Sequence, residues 1–354
     1  MAQSAMGRLF RWSSTTRHPM VTFSQARNQS TLVAPRFSQT ESTQLNDALD
    51  HWRQSRFLIY ALPQRQRQSL FKESHHERLT VEPITVSISE NEQFTLKPMA
   101  FNQMPSKSEF PEVLELMEKA NDYSNLIPFL IALRKSGIKV QPSRWQYIIR
   151  KAAEAGKLSA ILECAKQRQH SGFPMHDLPT VRVLFEKINA LAFSENSKHK
   201  DILAAEKLAK MAVDIMDCYP PNEQPKPAEN PRNQPFVIST LLHLSASRTS
   251  QLKADNKAGL KRQSAETLGY LQKYLAALPL VNLSPTFSTE TERDQWLHET
   301  SAARTALSLS LSAISGLPTQ LSSKAEAHVK ELKAIASQLK SKKRAKVAPQ
   351  PTES

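Results

Sequence analysis

Glycine is scarce in this chain: seven residues among 354, beside 22 prolines. Nucleotide-binding α/β folds need glycine where turns take positive φ, and neither GxGxxG nor GxxxxGK[ST] occurs. Cysteine is scarcer still. Cys164 and Cys218 stand far apart and outside any CxxC pattern, so a disulfide scaffold and a zinc site are both unsupported. Cys164 lies beside Ala165 on an apolar helical stripe, the place of a buried free thiol. No run approaches the roughly 18 apolar residues of a membrane-spanning helix. The sequence also offers no nucleophile beside a base, no paired carboxylates in a glycine-rich site and no ligand cluster. His75–His76–Glu77 has no further ligands in register and reads as a solvated loop. The chain therefore reads as no enzyme, with no cofactor, no metal and no evident small-molecule substrate.

Acid is the next absence. Residues 1–40 hold five Arg and no Asp or Glu, with Arg8, Leu9, Phe10, Arg11 and Trp12 placed to share an amphipathic turn. That is the composition of a mitochondrial transit peptide, and it predicts import into the mitochondrial matrix with cleavage somewhere in 28–40. The formal net charge is +14. Most of the excess lies at the two ends, because residues 321–346 carry eight Lys or Arg against two Glu. The body between them is close to neutral, which argues against a broad phosphate-binding face.

What the chain does have is a repeat. Phe110, Val113, Leu114 and Met117 precede Tyr123, Leu126, Ile127 and Leu130, and Trp145, Ile148, Ile149 and Ala152 precede Leu158, Ile161, Leu162 and Ala165. Each second position is its counterpart plus 35, and each group has the i, i+3, i+4, i+7 spacing of a one-sided helix. Two antiparallel helices repeated at that period predict a helical solenoid. A third unit comes next. Asp177 is placed to cap its first helix, and the polar segment Ser194–Lys200 interrupts its turn.

The fold class is thus all-α: a solenoid of antiparallel helix pairs with a small N-terminal β-hairpin. Residues 1–40 form the leader. Residues 41–106 form a cap, in which 43–60 is a helix, Gln64–Gln68 a solvated turn, and the alternation of Ile84, Val86 and Ile88 a hairpin strand answered by Phe94–Leu96. Residues 107–218 hold the repeats. Residues 219–235, with six prolines, read as a linker that divides the chain. Residues 236–341 form a further helical region, and 342–354 a basic, disordered tail.

The second unit resembles the pentatricopeptide repeat. Trp145 stands at the helix-opening aromatic, Glu154–Ala155–Gly156–Lys157–Leu158 resembles the turn between the two helices, and Ser171–Gly172–Phe173 resembles the exit. Lys135–Ser136–Gly137–Ile138 repeats that exit one period earlier, while Asn121 replaces the first unit's inter-helix glycine. Phe110, Gly137, Trp145, Gly156 and Gly172 are thus the structural signature positions. The resemblance covers about a third of the chain and implies organelle RNA metabolism, with single-stranded RNA along the first helices. The base-reading positions it implies are Pro111 with Gln141, Gln146 with His176, and Val181 alone. Proline and valine side chains cannot hydrogen-bond a base edge, so only the pair Gln146 with His176 could read one. Arg144, Arg150 and Lys151 flank the same helix as candidate phosphate contacts, and Lys342, Lys343 and Arg344 are candidates in the tail. The expected function is a non-catalytic RNA-binding factor in mitochondrial gene expression, acting on transcript stability, processing or translation. The alternative is a protein-binding scaffold, such as a component associated with the mitochondrial ribosome or an assembly factor.

Overall fold

Apolar stripes at helical spacing are covered only if helices pair, and the pairs then need neighbours. The computed structural model of the chain describes residues 34–89, 92–193, 199–218, 226, 229–252, 257–281, 283–284, 286–314 and 316–347, with side chains up to Leu339. Most of the leader, the Ser194–Lys200 turn apart from its last two residues, most of the 219–228 stretch and the last seven residues lie outside these.

Helix α1 (Thr43–Trp52) runs through a π-turn, Arg53–Phe57, into α2 (Leu58–Ala61). Helices α3 (Gln64–Phe71) and α4 (His76–Val81) come next, then strands β1 (Thr85–Ser89) and β2 (Glu92–Thr95). Thr85 pairs with Thr95 and Val86 with Phe94, with a bulge between Ser87 and Ser89. Two strands alone are marginal, and this hairpin is covered. Leu96 joins Ile59, Leu62, Leu70 and Leu79 in a small core against which Val86 and Phe94 pack. Two local expectations need correction. Gln64–Gln68 is helical rather than a turn, because Arg and Gln are good helix formers and Leu70 needs the helix to reach that core. His75 ends a short helical turn (Glu73–His75) and His76 begins α4, so the stretch is helical rather than a loop, with His75 and Glu77 exposed, and a ring nitrogen of His76 meets the Leu70 carbonyl at 2.9 Å.

The segment before α1 is part of the fold. Asn125 (1% exposed) accepts from the Ser38 N–H and donates to the Ser38 carbonyl, both at 2.8 Å. Phe37 packs beside Phe57 and Phe129.

Beyond the cap the described helices form five pairs: α5 (Phe110–Lys119) with α6 (Leu126–Lys135), α7 (Pro142–Glu154) with α8 (Leu158–Lys166) and the one-turn α9 (Arg168–Ser171), α10 (Leu178–Ala192) with α11 (His199–Asp217), α12 (Pro235–Gln251) with α13 (Lys257–Ala276), and α14 (Glu290–Ala313) with α15 (Thr319–Val347). The first helices stack in one layer, α5 on α7 on α10 on α12 on α14, and the second helices line the other. The Asp177 carboxylate accepts from the Thr180 N–H at 3.0 Å and caps α10 as expected. Pro128 sits in the first turn of α6, where its missing N–H costs nothing.

Helix α12 holds the array together. Thirteen of its seventeen residues are buried, six of them polar, which leaves it no broad solvated face. Val237, Leu241 and Leu244 enter the core shared with α5–α11, while Ile238 and Leu242 enter a second core with Leu271, Leu307 and Leu332. The helices before and after the proline-rich segment therefore pack directly on one another.

The repeat is also visible in backbone geometry. Asn121 and Gly156, 35 residues apart, both have positive φ (49° and 70°), as do Gly137 and Gly172 (81° and 80°). Asn121 thus adopts the left-handed cap in place of glycine, as Asn can. At Gly156 a methyl group meets nothing within 4 Å, but at Gly172 it would lie 2.8 Å from the Arg134 guanidinium, which donates to the Arg168 carbonyl at the end of the neighbouring unit. Gly156→Ala should therefore cost only the left-handed backbone penalty, about 1 kcal/mol. Gly172→Ala should cost about 1 kcal/mol more, because the inter-unit hydrogen bond is also displaced. Urea unfolding of the two variants measures the difference, and equal losses would show that the Arg134 contact contributes nothing.

Candidate interaction surface

Helix α7 carries half of the predicted contacts, Arg144, Gln146, Arg150 and Lys151. It opens with Pro142 in its first turn, and Trp145, Ile148, Ile149 and Ala152 are all within 1% of full burial. That stripe fixes where the other side chains go. At about 100° per residue, Gln146 and Arg150 share one flank, while Arg144 and Lys151 share another roughly 130° round the helix. The structure therefore does not gather the four on one face. Gln146 is half-buried and Arg150 exposed, and His176 is exposed beyond Met175, in the loop that leads into α10.

Lys151 is already engaged. Its ammonium donates to Glu154 at 3.1 Å on the same helix and to Glu118 at 3.2 Å on α5. These two carboxylates, Glu154 first and Glu118 next, hold the ammonium well above the usual lysine range. A phosphate at this point would have to displace two carboxylates. Tyr123 lies beneath the pair, and its hydroxyl is pushed up to about 12, chiefly by burial and then by Glu118. Of the other base-reading positions, Val181 is fully buried, Pro111 half-buried and Gln141 exposed. A buried valine cannot meet a base edge, so no row of readers runs along the first helices. Lys342, Lys343 and Arg344 lie within α15, which extends to Val347 rather than ending near 341. Lys, Ala, Gln, Leu and Arg favour helix, and no breaker intervenes before Pro349.

Three polar groupings were missed in the sequence, because each draws on helices far apart in the chain. At the first, Glu206 (3% exposed) accepts from Arg248 of α12 at 2.7 Å and meets Lys210 at 2.8 Å, and the Gln263 amide of α13 donates to it at 3.3 Å. Burial raises the Glu206 carboxyl, but the two cations outweigh it and leave it below the ordinary value. At the second, Arg182 of α10 pairs with Glu299 of α14 at 2.7 Å while lying over the Phe236 ring. Burial dominates there and raises the Glu299 carboxyl despite the arginine. At the third, His243 of α12 bonds Asn189 of α10 at 3.0 Å, with Phe193 stacked on its ring at 3.8 Å. The first joins the two layers, α11 and α13 to α12, while the other two tie α10 to α14 and to α12 within the first layer. Among the described residues no group of three potential ligands is placed to hold a metal ion, and Cys164 is buried, its thiol pushed up to about 12 by that burial. No helix among the described residues is long and apolar enough to cross a membrane.

The His243 site makes the fold sensitive to acid. Burial lowers its pKa from 6.5 to about 4. Between those values an unfolded chain binds a proton that the folded chain refuses, so the contribution is fully present above pH 6.5 and is lost as pH falls toward 4. Linkage at 1.36 kcal/mol per pH unit makes this about 3 kcal/mol. Unfolding free energies of wild type and His243→Gln, measured at about pH 7 and about pH 4.5, should converge by an amount of that order at the lower pH. Parallel pH profiles would show that His243 is not held neutral.

With this geometry in hand, comparison with known proteins supplies a family. The family model described as "Mitochondrial ribosomal protein mS27" (Mrp13) matches residues 21–353. The small ribosomal subunit protein mS27 of Neurospora crassa is 24% identical over 269 residues, a stretch that covers 73% of this chain and 67% of that protein. Because the family match spans almost the whole sequence, repeats, proline-rich segment and C-terminal helices together, the chain belongs to the mitochondrial ribosomal protein mS27 family.

Proposed function

We propose that the chain is a non-catalytic structural component of the small subunit of the mitochondrial ribosome, working in the matrix and held in place by contacts with both ribosomal RNA and neighbouring proteins. The observation that carries this reading is the extent of the family match, residues 21–353, over a chain whose helix pairs form one continuous array. A solenoid presents two long faces and suits a position between several partners. The reading as a factor that selects particular transcripts is less well supported. Lys151 is paired with Glu118 and Glu154, Val181 is buried, and Gln146 and Arg150 stand apart from Arg144. Arg144, Arg150, Lys342, Lys343 and Arg344 serve in this reading as sequence-independent phosphate contacts, whose attraction does not depend on base identity.

We read the helix pairs of 107–176 as pentatricopeptide-like in architecture, supported by the 35-residue period and the phased left-handed residues at 121 and 156 and at 137 and 172. In this reading the repeat serves as a rigid packing unit rather than as a base code. The basic leader serves mitochondrial import. Because Phe37 and Ser38 pack onto the first unit, its removal leaves Phe37 and the residues after it in the mature chain.

Gradient sedimentation of mitochondrial extracts carrying a tagged full-length chain tests the reading. The protein should travel with the small subunit, and RNase treatment that dismantles the subunit should shift it to lighter fractions together with other subunit proteins. Migration at the top of the gradient in untreated extract would contradict the proposal.

A further inference from the structure

Residues 51–72 contain five Lys or Arg and no carboxylate, between Asp50 and Glu73. Two of the five cations are committed to the fold: Arg53 meets Glu92 at 2.5 Å, and Arg56 donates to the Pro105 carbonyl at 2.8 Å. Arg65, Arg67 and Lys72 remain on or beside α3. Arg67 lies over the Tyr60 ring, 5.3 Å from its centroid.

Beside these cations is an open cleft of about 380 Å³ with aromatic walls, Tyr60, Phe71 and Phe101. Arg67 and Lys72 stand at its edge, and Gln64 and Gln68 project from successive turns of α3 into the same cleft. Phe101 is the unusual member. It is 67% exposed, yet it is stacked on Phe71 at 4.1 Å with only 11° between the ring planes. A large aromatic held flat, with most of its surface in water, is an unused stacking platform. The short helical turn Phe101–Gln103 fixes it there: the Gln103 side chain accepts from the Ala100 N–H at 3.2 Å, and the Met104 N–H returns to the Phe101 carbonyl at 3.3 Å.

Aromatic platforms beside cations that pair with no carboxylate among the described residues match the chemistry of unstacked nucleotides. A base has a π-face for the ring, its phosphates meet the arginine and lysine, and its edge offers hydrogen-bonding groups to amides. An acidic peptide would satisfy the cations alone, and an apolar peptide the rings alone. We propose that this cleft in the N-terminal cap binds an unpaired nucleotide of RNA, with the base stacked on Phe101, the flanking phosphates against Arg67 and Lys72, and Gln64 and Gln68 facing the base edge. The proposal deepens the ribosomal reading by assigning an RNA contact outside the repeats, and it rests on that reading.

The test is ultraviolet crosslinking of intact small subunits that carry the full chain, followed by mass spectrometry of RNA-bearing peptides. An RNA adduct is expected within residues 98–104. Phe101→Ala should lower its yield about tenfold, in line with the loss of one base–aromatic stack, while Phe101→Trp keeps it. Arg67→Glu combined with Lys72→Glu should also lower the yield. Sedimentation of the variants with the subunit reports separately on the ribosomal reading. An absence of adduct at 98–104 in subunits that do contain the chain overturns the cleft assignment and leaves the ribosomal reading intact. Protein–protein crosslinks from Lys72 to a neighbour, with no RNA adduct, overturn it in favour of a protein occupant.

Discussion

The structure depends on the burial of α12 from both sides. A solenoid unit cannot cover its own outer face, so each pair borrows a surface from the next. For the last pair of the first core, α10 and α11, that surface is supplied by Phe236, Val237, Leu241 and Leu244, and for the second core by Ile238 and Leu242 on the same helix. One helix thereby joins two cores. Polar groups obey the same logic, with Glu206–Arg248, His243–Asn189 and Arg182–Glu299 all crossing helix interfaces at this point. Removing the cations from the buried Glu206 carboxylate would leave an unpaired charge in low dielectric, at a cost of about 3–5 kcal/mol. These contacts therefore tie the geometry of the junction to its chemistry.

This arrangement bears on how such a protein is used. A continuous array has little freedom at its centre, so a rigid double layer is presented to any neighbour. Regularity is greatest at α5–α9, where the left-handed residues recur in phase. At the N-terminus the π-turn at Arg53–Phe57 widens the helix and brings Phe57 against Trp52, Phe37 and Phe129. That cluster seats the cap on the first unit.

Much of the fold was legible because burial imposes period. The stripes of Phe110–Met117 and Trp145–Ala152 fall on buried positions in full, and Gly137, Gly156 and Gly172 mark helix exits whose φ only glycine adopts cheaply. The alternation of Val86 and Ile88 marked the hairpin. Helix α3 was not legible, because QRQRQ has no apolar period and its helicity is decided by Leu70 reaching a core. Continuity across the proline-rich segment was not legible either. Helix α12 is buried all round, and a helix without a solvated face gives no sign of which neighbours cover it. The surface was the least legible part. Sequence spacing put Arg144, Gln146, Arg150 and Lys151 on one helix, but Glu118, a full unit away, decides what Lys151 does. Likewise, nothing local predicts that Phe101 stacks on Phe71.

The central claim, that these helix pairs form one continuous array serving as part of the mitochondrial small subunit, is tested most directly by electron cryo-microscopy of that subunit from the organism that makes this chain. The account predicts density for five stacked helix pairs in unbroken order, with α12 enclosed between α10 and α14. Small subunits that contain no such density, or that show the helices after residue 235 detached from α10 and α11, would contradict it.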